Sequence, residues 1–150
     1  RYYGDTERLD YVGARNFLRH VQQRLPGLRR HFEEAAAELG EDWRVLAAIG
    51  YQESKWDPAA VSPTGVRGVM MLTADTAERM GVRDRENPRE SIFGGARYFR
   101  TMHETVPERI PEPDRTWFAL AAYNLGYGSL EDGRILTQMH GKDPDSWQDV

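Results

Sequence analysis

The apolar positions of this chain recur every three or four residues over most of its length, the period of helices with one buried face. After Asp10, a candidate N-cap, Ala14, Phe17, Leu18, Val21 and Leu25 share a stripe that Pro26-Gly27 breaks. Leu28, Phe32, Ala35, Ala36 and Leu39 form a second stripe ending at Gly40, and Asp42 caps a third with Trp43, Leu46, Ile49 and Gly50. From Asp57 to Leu72 no period fits. That stretch holds Pro58, Pro63, Gly65 and Gly68 and closes on Val69-Met70-Met71-Leu72. A long irregular segment in a compact domain is usually functional. Thr73 reads as the cap of a short helix stopping at Gly81. Asn87-Pro88 opens another, whose stripe is Ile92, Gly95, Ala96, Phe99, Met102 and Val106. The Gly94-Gly95 pair costs about 1 kcal/mol per Gly against Ala, so close approach of another helix or of a ligand is expected there. Pro107, Pro111 and Pro113 mark a second loop. Asp114 is the expected cap of a helix carrying Trp117, Ala121 and Asn124 and ending at Gly126. Ser129-Leu130-Glu131-Asp132 resembles a capping box opening a last helix to about His140, and residues 141–150 read as loop. No strand pattern survives. The expectation is an all-α protein, with residues 1–12 a lead-in and 13–150 one domain.

One carboxylate breaks the pattern. Glu53 continues the line of Leu46, Ile49 and Gly50, where a surface helix keeps its apolar residues. Local rules are broken most often at functional sites. Burial and the negative end of a helix both favour the protonated form, as a general acid requires. The rival reading is a helix-end Glu that swings into solvent as the chain turns at Asp57-Pro58.

Composition narrows the choices. The chain of 150 residues, with 39% hydrophobic and 29% charged residues, suits an ordinary globular domain with a real core. A net charge of −4 argues against a nucleic-acid partner. There is no Cys, which removes disulfides, thiolate metal sites and Cys nucleophiles. His20, His31, His103 and His140 lie in polar helical contexts without a nucleophile elbow. Asp84-Arg85-Glu86-Asn87 lacks the Gly and closing Glu of a calcium loop, and no Gly pair follows a strand as a phosphate loop does. Neither a metal nor a cofactor is expected. No apolar run approaches membrane-spanning length.

The remaining features match a family in combination. Glu53-Ser54, Gly68-Val69-Met70-Met71 and Ala122-Tyr123-Asn124, with Ser62-Pro63 and Gly65 between the first two, resemble the signature motifs of the soluble-type lytic transglycosylases. Gly65 to Thr73 and Ile110 to Trp117 resemble a membrane-bound branch of that family. The resemblance implies an all-α, goose-type lysozyme-like fold. It implies cleavage of the MurNAc–GlcNAc β-1,4 bond of peptidoglycan without water as acceptor, giving 1,6-anhydroMurNAc ends. Glu53 would be the single acid/base, and Ser54, Ser62, Met70, Met71, Tyr98, Tyr123 and Asn124 would serve the substrate. Among these, Ser62 would lie near the N-acetyl group, Tyr98 would face the cleft, and the Tyr123 hydroxyl would hold Glu53. The family also implies a periplasmic location, an outer-membrane lipid anchor and an N-terminal solute-binding-like domain, all outside this chain. Two departures stand out: Met71 replaces a Gln of the wider family, and the family domain normally continues beyond Val150, so a C-terminal truncation is expected.

Glycosidases ordinarily use two carboxylates roughly 5 to 9.5 Å apart. Here Asp57 and Asp75 are the nearest spare acids, and loop-end and cap roles explain both. A hydrolytic goose-type muramidase and a non-catalytic peptidoglycan-binding module remain the alternatives.

Overall fold

The computed structural model describes residues 11–150. Asp10 and Arg1 to Leu9, expected as first cap and lead-in, lie outside the described residues. The helices are α1 Tyr11–Gln23, α2 Leu25–Leu39, α3 Trp43–Ser54, α4 Ala74–Arg79, α5 Pro88–Thr105, α6 Asp114–Leu125 and α7 Tyr127–Met139. Among the described residues there are isolated bridges at Val61–Arg67 and Arg67–Leu72 but no strand, so the all-α expectation holds. None of the described helices is long and apolar enough to cross a membrane. The chain divides into two compact units, the first ending at Arg97 and the second running from Tyr98 to Val150.

In the first unit α2 packs on both α1 and α3. The break expected at Pro26-Gly27 falls earlier, at Arg24, and both residues lie inside the first turn of α2. Proline is tolerated there because the first N–H groups of a helix have no intrahelical partner. Gly40 (φ 70°) ends α2 in the left-handed conformation. The Asp42 carboxylate accepts the Arg44 N–H at 2.9 Å and caps α3 as expected. Thr73 caps α4 through the Thr76 N–H at 3.0 Å, and Asn87 accepts the Glu90 N–H at 3.0 Å in the first turn of α5. Phe32, Ala35, Leu46, Val69, Ile92 and Ala96 are fully buried.

In the second unit α6 packs on α7. Glu112, rather than Asp114, satisfies the start of α6, accepting the Thr116 N–H at 3.0 Å and its hydroxyl at 2.7 Å. Asp114 is already helical, and its carboxylate accepts the Trp147 N–H at 3.3 Å. Gly126 (φ 89°, ψ 146°) both ends α6 and precedes α7, which therefore starts at Tyr127, two residues before the expected capping box. Glu131 instead pairs with Arg134. Arg134 is 6% exposed and also bonds the Asp145 carboxylate and, at 2.9 Å, the Pro144 carbonyl. The tail is thereby tied to α7, and Trp147 meets Phe118 edge-on with centroids 5.5 Å apart.

Candidate active site

The end of α3 is fastened on several sides. The Trp56 indole N–H donates to the Ala47 carbonyl at 2.8 Å, and the Arg24 guanidinium donates to the Lys55 carbonyl at 2.9 Å. The Ser54 hydroxyl lies 2.8 Å from the Val69 carbonyl and 3.1 Å from the Gly50 carbonyl, and accepts the Asp57 N–H at 3.1 Å. Ser54 thus clamps the helix end to the irregular segment. Glu53, the penultimate residue of α3, is half-buried, on the face where Leu46, Ile49 and Gly50 are buried.

The irregular segment is seated by close approach. Gly68 (φ 81°) passes so near α5's leading loop that a Cβ there would stand 1.8 Å from the Arg85 carbonyl oxygen. A Cβ at Gly95 would stand 2.6 Å from Met70 Cβ, and one at Gly94 2.2 Å from Val82 Cγ2. The expected approach at Gly94-Gly95 is therefore made by side chains of the irregular segment and the α4–α5 loop. Backbone strain gathers at the same place. Among the described residues Lys55, Trp56 and Met71 are the non-glycine residues with positive φ, at 55°, 60° and 47°. Each costs of the order of 1–2 kcal/mol, and such strain clusters at functional sites.

The residues expected to serve the substrate separate in this geometry. Met71 is half-buried. Met70 is 1% exposed, and its N–H donates to Ser91 Oγ at 3.2 Å, so it is a core residue that seats the segment rather than a lining residue. Ser62 is 6% exposed; its oxygen accepts the Thr64 and Val66 N–H groups at 3.2 and 3.3 Å and meets Thr64 Oγ1 at 2.8 Å. Its hydroxyl is spent on the turn and does not reach outward as expected. In the second unit Tyr98 is half-buried and Tyr123 is 7% exposed, their ring centroids 5.1 Å apart, while Asn124 is exposed. The spare acids have local work: Asp57 accepts the Ala59 N–H at 3.0 Å, and Asp75, 80% exposed, faces Arg79 at 3.8 Å. Asp84 and Glu86 make a turn, Asp84 accepting the Glu86 N–H at 2.9 Å and Glu86 pairing with Arg67 at 2.7 Å.

Arg85 is the structural residue that the sequence reading missed. Its Nη1 donates to the Gly65 carbonyl at 2.9 Å and the Leu72 carbonyl at 3.0 Å, tying both ends of the second motif together. An Arg in a polar turn carries no signal of such a role. Glu90 fixes this loop from the other side, accepting the Arg83 N–H at 2.8 Å and the Asp84 N–H at 3.1 Å. Those bonds, the one from Asp84 foremost and then that from Arg83, hold the Glu90 carboxyl below the usual range.

Helical architecture, the clamped Glu53 and the seated Gly68–Met71 segment coincide with a family match over residues 30–144, and the chain belongs to the transglycosylase SLT domain family. It is similar to the membrane-bound lytic murein transglycosylase F of Marinobacter nauticus, 62% identical over the whole chain and 30% of that relative. The proteins of the same name from Alcanivorax borkumensis and Ectopseudomonas mendocina are 57% and 58% identical over the whole chain, which covers 32% and 31% of them. The chain thus spans about a third of the length of these curated relatives.

Proposed function

We propose that this chain cuts the glycan strands of peptidoglycan as a lytic transglycosylase, breaking the MurNAc–GlcNAc β-1,4 bond and leaving 1,6-anhydroMurNAc ends. The observation that carries this reading is the placement of Glu53. It is a half-buried carboxylate beside the last residue of a helix, and that residue, Ser54, is clamped to the Gly68–Met71 segment. Membership in the family and the names of the relatives agree with it. The commitment of Asp57 and Asp75 to local structure favours a mechanism with one carboxylate.

With one carboxylate the substrate supplies the second group, a recognised exception to the paired scheme. Glu53 donates its proton to the leaving GlcNAc oxygen while the N-acetyl oxygen of MurNAc attacks the anomeric carbon. The glycosidic bond breaks, and Glu53 is left as carboxylate. Glu53 then takes the proton of the C6 hydroxyl, whose oxygen displaces the N-acetyl oxygen at the anomeric carbon and closes the anhydro ring. No water is consumed. In this scheme Met71, Tyr98 and Asn124 are the residues proposed to contact the glycan. The place of action is the Gram-negative envelope.

Product mass tests the reading. Purified sacculi incubated with the chain should yield muropeptides one water lighter than hydrolytic products. Reducing ends would replace it with the hydrolytic muramidase, and binding without release would replace it with a glycan-binding module.

A further inference from the structure

Next to the segment that carries Met71, α4 and the loop after it line an open cavity of ≈ 380 Å³. Its floor is apolar, with Ala77 and Val82 buried, and Gly81 leaves open space above them. Its rim carries Glu78, Arg83 and Arg85. The Glu78 carboxylate has no hydrogen bond or ion pair among the described residues. Arg83 is 91% exposed at its side chain and, among the described residues, pairs only with Glu90, at 4.0 Å. Arg85 uses one nitrogen on the Gly65 and Leu72 carbonyls, so its other N–H donors remain for a ligand. The loop bearing both arginines is held rigid by Glu90 and by the contact of Gly68 with the Arg85 carbonyl. Donors ordered in advance lose less freedom on binding.

We propose that this cavity binds the acidic peptide stem of peptidoglycan, a reading that rests on the glycan-cutting function above. Two guanidinium groups suit two carboxylates, because the planar fork matches carboxylate geometry. One unpaired carboxylate suits one free ammonium. A stem with a γ-linked D-glutamate and a diamino acid carries carboxylates for both arginines and an ammonium for Glu78. The position fits as well. Ser54 is bonded to Val69 at 2.8 Å and Arg85 to Leu72 at 3.0 Å, and only Met70 and Met71 separate the two anchored residues along the chain.

The test is a titration of the chain with the tripeptide L-Ala-γ-D-Glu-meso-diaminopimelate, followed by amide chemical shifts. Shifts should concentrate between Ala77 and Arg85. Arg83→Ala should weaken binding about tenfold, while Arg79→Ala, at the end of α4 and outside the cavity lining, should not. Acetylating the peptide's free side-chain amine should weaken binding to the wild-type chain and change little for Glu78→Gln. Absence of shifts in the cavity, or equal weakening by Arg79→Ala, overturns the proposal. A second arm compares cleavage rates on intact sacculi and on strands stripped of peptide by an amidase, and Arg83→Ala should lower that ratio about tenfold. If neither substrate is cleaved, the lytic reading fails and the titration still decides the cavity. If both are cleaved equally and the peptide does not bind, the cavity proposal fails and the lytic reading stands.

Discussion

The segment from Asp57 to Leu72 and the tail from Gly141 to Val150 are both irregular, yet the first is held mainly by shape and the second by charge. In the first, glycines let backbone and side chains approach where a methyl group would collide: Gly68 on the Arg85 carbonyl, Gly95 on Met70, Gly94 on Leu72. In the second, Arg134 draws in Glu131 and Asp145, and Arg109 adds a second guanidinium on Asp145 at 2.6 Å. Close packing fixes a geometry to fractions of an ångström, as a segment beside a proposed catalytic acid requires. A charge network fixes it only while its groups stay ionised. The difference places the rigid device next to Glu53 and the pH-dependent one at the tail.

The largest effect is expected at Gly68. Gly68→Ala combines left-handed strain with a steric clash against backbone, which costs about 3–5 kcal/mol. The Tm should fall by about 10 °C or more for a chain of this size. A loss below about 1 kcal/mol would mean that shape does not hold the segment. Arg134→Ala should come next. It leaves Glu131 and Asp145 without their buried partner, but their side chains, 35% and 27% exposed, regain some water. A loss of about 2–3 kcal/mol in urea unfolding is therefore expected. A neutral result would remove charge as the tail's anchor.

The smallest effect is a local one, read by acid. Hydrogen bonds from Arg109 first and then Arg134 outweigh burial and hold the Asp145 carboxyl below its ordinary value. A depressed folded pKa gives stability that is complete above the unfolded value of about 3.9 and lost as pH falls through the folded one. Below about pH 4 the amides of Ser146 and Val150 should therefore gain hydrogen exchange before those of Met71 and Leu72. Simultaneous loosening of the two segments would erase the contrast.

Much of this frame was legible in the sequence because it is made by neighbours. The caps at Asp42 and Thr73, the Asn87-Pro88 start and the stripe ending at Glu53 depend on residues a turn apart. Gly94-Gly95 announced a close approach, though not its occupant. What the sequence hid depends on partners far along the chain. Met70 and Ser62 look alike as motif residues facing substrate or core until the depth of the segment on α5 decides. Glu112 displaces Asp114 as the cap because the chain turns at Pro113, and Arg134 finds Asp145 across a loop. The order of the three motifs, in contrast, was enough to reach the family.

The central claim is that Glu53 is the proton donor and acceptor of a one-carboxylate reaction, and Glu53→Gln tests it most directly. The substitution keeps the side chain's size and removes its titrating proton. The measurement is the rate of muropeptide release from purified sacculi by Glu53→Gln and by the unaltered chain, each with its thermal melt. A melt close to that of the unaltered chain is expected, with release lowered at least about a thousandfold, as follows when the sole acid/base group is lost. Release within about tenfold of the unaltered chain by a folded Glu53→Gln would contradict it, since that would leave the proton transfer to some other group.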